Sequence, residues 1–151
     1  MMKHIYLIVF LLIGVVLVCL GQPSKSAELY RKQVNRGIQM GNAEVFSNYF
    51  RDMVELVMSQ SAETYSKSQA TSILNDFFRE NPPAKFEEIE VWKDENVIHV
   101  VGDYTSSKGL VYRIHYAMKK ADASQKTNYL VYSINIEQTK KCKQKTETSR
   151  K

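Results

Sequence analysis

The chain has 151 residues, 44% of them apolar and 25% charged, with 21 Lys and Arg against 16 Asp and Glu. That length suits one ordinary domain, and six Gly, three Pro and 11% aromatics exclude a fibrous or low-complexity chain. The formal charge of +5 gathers at one end of the chain instead of forming the folded basic stripe of a nucleic-acid domain, so nucleic acid is not an expected partner.

Lys3 and the amino terminus make a positive start, and residues 5–20 follow without a charge. This run fits the apolar region of a signal peptide and is short for a spanning helix, which needs about 20 residues. Cys19-Leu20-Gly21 puts small residues at both positions that signal peptidase reads. Residues 1–21 are therefore expected to be a signal peptide, cleaved after Gly21, with a retained anchor as the alternative. Lipidation of Cys19 is disfavoured, because bulky Val18 stands where bacterial lipoprotein signals resemble one another in a Gly or Ala. Cleavage would leave Cys142 as the one thiol, which excludes an internal disulfide and a structural zinc site of three or four ligands. No metal and no cofactor is expected, and the domain has to stand on its apolar core.

Ser26 can cap a helix in which Tyr30, Val34 and Ile38 repeat every four residues as one apolar stripe. Gly41-Asn42 ends it, and Asn42 can cap a short second helix carrying Phe46, Tyr49 and Phe50. Residues 54–58 then read as a short strand. Ser66-Lys67-Ser68-Gln69 matches a capping box, in which the hydroxyl accepts from the third amide and Gln reaches back. Ala70, Ile73, Leu74 and Phe77 form the apolar face behind it. Asn81-Pro82-Pro83 stops this helix, because a residue before proline avoids helical geometry.

After Pro83 the period changes to two, and strands are predicted at 86–92, 97–105, 110–118 and 129–137. Short turns between successive strands make an antiparallel meander with one buried face. Helices followed by strands give an α+β class with the helices on one side of the sheet. From Gln138 to Lys151 there are six basic residues and one acid, whereas 22–137 holds 14 basic and 15 acidic residues. The expected organisation is thus a signal over 1–21, one domain over 22–137 and a disordered basic tail over 138–151. The tail could make a weak contact with an anionic membrane or polysaccharide.

Glu87, Glu88 and Glu90 are expected to face solvent. The plausible acid–base group is His99, Asp103 and His115, and its placement depends on one hairpin. A three-residue Ser107-Lys108-Gly109 loop with Gly left-handed pairs 106 with 110. Tyr104 then shares the inward face with Tyr112 and Tyr116, while His99 and Asp103 point outward with Arg113 and His115. A two-residue Lys108-Gly109 turn would slip the register and bring His99 and Asp103 inside. The three-residue loop is favoured, since it buries neither an unpaired Asp nor an unpaired His. The fourth strand is read with Leu130, Tyr132, Ile134 and Ile136 on one face. Tyr104, Tyr112, Tyr116 and Tyr132 are then the candidate lining of an inner pocket for a small apolar ligand. Trp92 is read as packing or rim.

The runs Gly41–Phe46, Tyr65–Ala70 and Phe77–Pro82 resemble a family of small secreted domains of unknown function from Gram-negative bacteria, within the nuclear transport factor 2-like superfamily. The resemblance covers roughly residues 28–137. It implies a cone: a strongly bent antiparallel sheet wrapped around helices, open at one end. It implies an exported protein of the periplasm or envelope, and carries over no catalytic residue. Enzymes elsewhere in the superfamily, such as ketosteroid isomerase, place an Asp or a His–Asp pair inside the cone. The expected function is non-catalytic binding of a small apolar ligand or a protein partner. The alternatives are a small lyase or isomerase using Asp103 or His99 with a Tyr donor, and an envelope protein that forms a homodimer through the outer sheet face.

Overall fold

The computed structural model describes residues 25–121 and 129–139. Residues 1–24, which include the expected signal, residues 122–128 and the basic tail from 140 lie outside the described residues. Among the described residues three helices and six strands run in the order α1 (Lys25–Met40), α2 (Ala43–Ser47), β1 (Phe50–Met58), β2 (Ser61–Ser66), α3 (Lys67–Glu80), β3 (Pro83–Asp94), β4 (Val97–Ser106), β5 (Val111–Lys120) and β6 (Tyr129–Gln138). No described helix is long and apolar enough to cross a membrane.

The first helix buries the stripe its spacing predicts: Val34 and Ile38 are in the core, joined by Ala27, and Tyr30 packs against them. It begins at Lys25, so Ser26 sits in its first turn instead of capping it. Gly41 takes a φ of 63°, a left-handed turn that ends α1 without a Cβ penalty, and its amide donates to the Ile38 carbonyl. Asn42 does cap α2, accepting from the Glu44 amide at 3.0 Å. That helix is shorter than expected. Tyr49 lies beyond it, and Phe50 opens β1, four residues ahead of the predicted strand.

The third helix matches its sequence reading at both ends. Ser66 Oγ accepts from the Gln69 amide while Gln69 Oε1 accepts from the Ser66 amide at 3.1 Å. Asn81 closes it by donating its backbone N–H to the Phe77 carbonyl at 2.9 Å. Ser66→Ala is expected to cost about 1 kcal/mol, measured as the shift of a urea midpoint; an unchanged midpoint would mean the cap is not used in solution.

The sheet order is β2-β1-β6-β5-β4-β3. The meander β3–β6 is antiparallel throughout, as its alternation and short turns predict. β1 joins β6 in parallel, and β2 folds back on β1. β2 is an element that sequence patterning missed. Its residues Ser61 to Thr64 are all exposed, and it turns from β1 through Ser59 and Gln60 at φ 51° and 72°. A polar edge strand behind a turn without Gly, Asn or Asp has no pattern to announce it.

Three helices cover one face of this sheet. The core runs from Val34, Phe46, Leu74 and Phe78 on the helices to Val54, Val100, Tyr104, Ile114, Tyr116, Val131 and Ile134 on the strands. Register shifts interrupt several pairings, and two of them re-aim side chains that matter below. One lies in β3 between Glu88 and Glu90, the other in β6 opposite Ala117 and Met118.

Candidate functional site

The residues singled out from the sequence lie on opposite faces of the sheet, divided by the β4–β5 hairpin. Gly109, at φ 76°, donates to the Ser106 carbonyl at 2.9 Å, and Ser106 donates to the Leu110 carbonyl at 2.8 Å. The three-residue loop therefore forms. Tyr104 pairs with Tyr112, Gly102 with Ile114 and Val100 with Tyr116 facing inward, while His99 pairs with Ala117, Val101 with His115 and Asp103 with Arg113 facing outward.

Inside, the Tyr104 and Tyr112 rings meet edge to face at 6.2 Å, and Tyr116 lies further along the same face. Tyr104 is 0% exposed and Tyr116 1%. The Tyr104 hydroxyl donates to the Asn81 carbonyl, and Tyr112 donates to Asn81 Oδ1 at 2.8 Å. Tyr116 donates to Asn35 Oδ1 at 2.6 Å. Burial is the leading cause that raises the pKa of all three; Tyr112 adds to it for Tyr104, Glu80 for Tyr112, and Glu88 for Tyr116. Each hydroxyl stays protonated and committed to a partner. Phe77 closes the same space, its ring 5.1 Å from Tyr112 and 5.7 Å from Tyr104.

Tyr132 does not join them. The register shift in β6 gives the inward places to Tyr129 and Val131 below it and to Ile134 and Ile136 above it. Tyr132 is the extra residue between, and it is half-buried. A bulge leaves no trace in the alternation of Leu130, Tyr132 and Ile134 because every residue there is apolar or aromatic.

Glu88 was expected in solvent with its neighbours and instead faces the helices. It pairs with Arg31 and accepts from Asn35 Nδ2 at 2.6 Å. Asn35 passes the chain on to Tyr116. A half-buried run Arg31–Glu88–Asn35–Tyr116 thus ties α1 to β3 and β5. The signal that could have found it is parity: Glu88 stands two residues after inward-facing Phe86. Glu87 stays outside, paired with Lys85 at 2.9 Å.

Outside, Asp103 forms a two-point ion pair with Arg113, Oδ1 to Nε at 2.7 Å and Oδ2 to Nη2 at 3.3 Å. Such exposed pairs contribute about 0–1 kcal/mol. His99 Nδ1 and His115 Nε2 meet at 3.1 Å. Trp92 stacks over both rings, its centroid 4.9 Å from His99 and 5.6 Å from His115. The irregularity after Glu88 is what turns Trp92 outward, placing it opposite His99. Next to this cluster Asn135, opposite His115, donates to Glu137 Oε1 at 3.1 Å. Its Oδ1 is shielded from water and has no hydrogen-bond partner.

Burial, and after it the neighbouring His99, lowers the pKa of His115. The folded state therefore keeps this imidazole neutral where the unfolded chain takes up a proton, near its ordinary value of about 6.5. The unfolded state binds more protons in the window from the lowered value up to 6.5, so stability rises with pH across it and falls on acidification. His115→Gln is expected to flatten the slope of Tm between pH 7 and pH 5; an unchanged slope would remove His115 from the account.

The open grooves lie elsewhere. A polar groove of about 750 Å³ runs between α2, the start of β1 and one side of α3, lined by Glu44, Asp52, Lys67, Asn75, Asp76 and Arg79 among others. A smaller one of about 370 Å³ is lined by Arg51, Asp52, Met53, Ala121 and Leu130. Neither includes a candidate tyrosine, His99 or Asp103. Among the described residues no three His, Cys, Asp or Glu side chains cluster as a metal site.

Residues 31–137 match a family model described as Domain of unknown function (DUF4783). Among solved structures, the chain is similar to a DUF4783 family protein from Bacteroides ovatus, with 24% identity and a TM-score of 0.66 over 72% of this chain and 94% of that one. A DUF4783 family protein from Bacteroides fragilis shows 23% identity and a TM-score of 0.65 over 71% of this chain and 96% of that one. An NTF2-like protein of unknown function from Shewanella baltica shows 11% identity and a TM-score of 0.57 over 76% and 92%. No curated protein matches. At such identities the structures speak for the fold, an α+β arrangement of the nuclear transport factor 2-like kind. The matched span is most of the sequence and includes the sheet and both faces described above, and the chain belongs to the DUF4783 family.

Proposed function

We propose that the domain is an exported, non-catalytic binding module that pairs with a second copy of itself through the outer face of its sheet. The observation that carries this reading is the Trp92 ring, 39% exposed and stacked over His99 and His115 on the face the helices leave uncovered. The same face carries Val57, Val101, Ala117 and Asn135, with charge in Glu87, Lys119 and Glu137. That is the anatomy of an interface, apolar and aromatic in the centre and polar at the edge. The carboxamide and the two imidazoles each hold both a donor and an acceptor. Such a centre is complementary to its own copy across a two-fold axis, the commonest closed symmetry.

The filled interior favours this partner over an apolar ligand inside the cone, since each inner tyrosine hydroxyl already has a partner. The geometry also separates the parts of a lyase or isomerase: Asp103 and His99 stand on the opposite face from Tyr104, Tyr112 and Tyr116. Sedimentation velocity tests the pairing. The expected result is a dimer for the wild type at tens of micromolar and a folded monomer for Val101→Asp. A wild type that stays monomeric at that concentration would overturn it. Export rests on residues 1–21, and the exported protein is expected to start at Gln22 by intact mass.

A further inference from the structure

The cluster His99–His115–Trp92 is built for more than packing. We infer that His99 and His115 form a two-imidazole chelate for a late first-row divalent ion such as nickel or zinc, held open and pre-shaped by Trp92. The argument begins with the spacing. Metal–imidazole bonds of about 2.0–2.1 Å with bond angles between octahedral and tetrahedral separate two ligand nitrogens by about 2.9–3.4 Å. His99 Nδ1 and His115 Nε2 stand 3.1 Å apart.

The pair arises diagonally across neighbouring strands, since His99 is opposite Ala117 and His115 opposite Val101. Sequence spacing alone, 16 residues, gives no motif for it. Trp92 lies nearly parallel to His99, at 8°, and within 22° of His115, which restrains both rings about the torsions that would otherwise be lost on binding. Both histidines keep a share of solvent access, so an ion can reach them. In the metal-free state one of the facing nitrogens carries a proton and donates it to the other. On binding, that ring changes tautomer and its proton moves to the far ring nitrogen through water, so both facing nitrogens present lone pairs. Imidazole donors favour nickel, copper and zinc over calcium or magnesium.

The charged groups on the same face are Glu90, Lys119, the Lys85–Glu87 pair, the closed Asp103–Arg113 pair, Glu137, which accepts from Asn135, and Glu55, whose carboxylate accepts from Ser133 at 2.9 Å. Together with the absence of a three-ligand cluster among the described residues, this leaves the other coordination positions to water or to the same pair on a second copy. The chelate itself does not depend on the pairing proposed above. Saturation at one ion per chain or at one ion per two chains would both support it, and only the second would add the copy.

The experiment uses tag-free protein and the fluorescence of Trp92, the single tryptophan of the chain. Nickel, which quenches a stacked indole, is titrated at pH 7.5. The expected result is saturable quenching in the micromolar range, weakened at least tenfold in His99→Gln and in His115→Gln. His4 and Cys142 are common to all three proteins, so the difference isolates the pair. Zinc should shift the imidazole ring signals of His99 and His115 in NMR spectra of the wild type, a reading that does not depend on how the variants fold. Quenching that is equal in wild type and both variants, or ring signals unmoved by zinc, would overturn the inference.

Discussion

Phe77→Ala is expected to lower the stability of the domain by about 3–5 kcal/mol, the usual cost of emptying a buried aromatic site. Phe77 lies on the inner face of α3 and is 7% exposed. Its ring meets Phe78 at 5.5 Å, Tyr104 at 5.7 Å and Tyr112 edge-on at 5.1 Å and 86°. Removing it would leave three aromatic walls around a void that rigid neighbours cannot collapse into. It would also free the two tyrosines whose hydroxyls converge on Asn81 at the end of the same helix. Urea melts followed by far-ultraviolet circular dichroism measure the effect. A loss below half a kcal/mol would mean that the aromatic cluster is loose and the cone has room inside, which would reopen the ligand reading.

Glu88→Ala is expected to cost about 1–3 kcal/mol. The carboxylate serves Arg31 and Asn35 together, and the Arg31 side chain is only 20% exposed. Truncation leaves a shielded guanidinium without its counter-charge and an amide without its acceptor. The size is held below that of a fully buried pair because both partners keep some access to water. If the cost lies in the stranded partner, replacing both ends should recover most of it. Arg31→Met with Glu88→Leu is therefore expected to melt closer to wild type than Glu88→Ala alone. Additive losses in that double variant would mean that the pair does not act as a unit.

The parts of this fold that were legible in the sequence are those set by neighbours along the chain. The capping box at Ser66, the stop at Asn81-Pro82-Pro83 and the left-handed Gly109 are local chemistry, and each produced the element or register it implies. The Gly109 loop decided in turn that His99 and Asp103 face away from the tyrosines. What was hidden is set across the sheet. The bulge that displaces Tyr132 inserts a residue into an apolar alternation and leaves the pattern looking intact. The partner of Glu88 lies 57 residues away in sequence. The imidazole pair forms only when β4 and β5 lie side by side, and Trp92 reaches it only because β3 shifts register after Glu88. β2 was hidden for another reason, since an edge strand with both faces wet needs no apolar period.

Trp92 projects from the edge strand β3 over His99 and His115 on the outer face and reports directly on whether that face is the working surface. Acrylamide quenching of its fluorescence should be compared between wild type and Val101→Asp at one protein concentration, with metal removed by chelator. The account predicts that Trp92 is markedly less accessible in the wild type, because a second copy covers it, and that Val101→Asp exposes it. Equal quenching in the two proteins would contradict the account, since it would leave Trp92 on a surface that nothing covers.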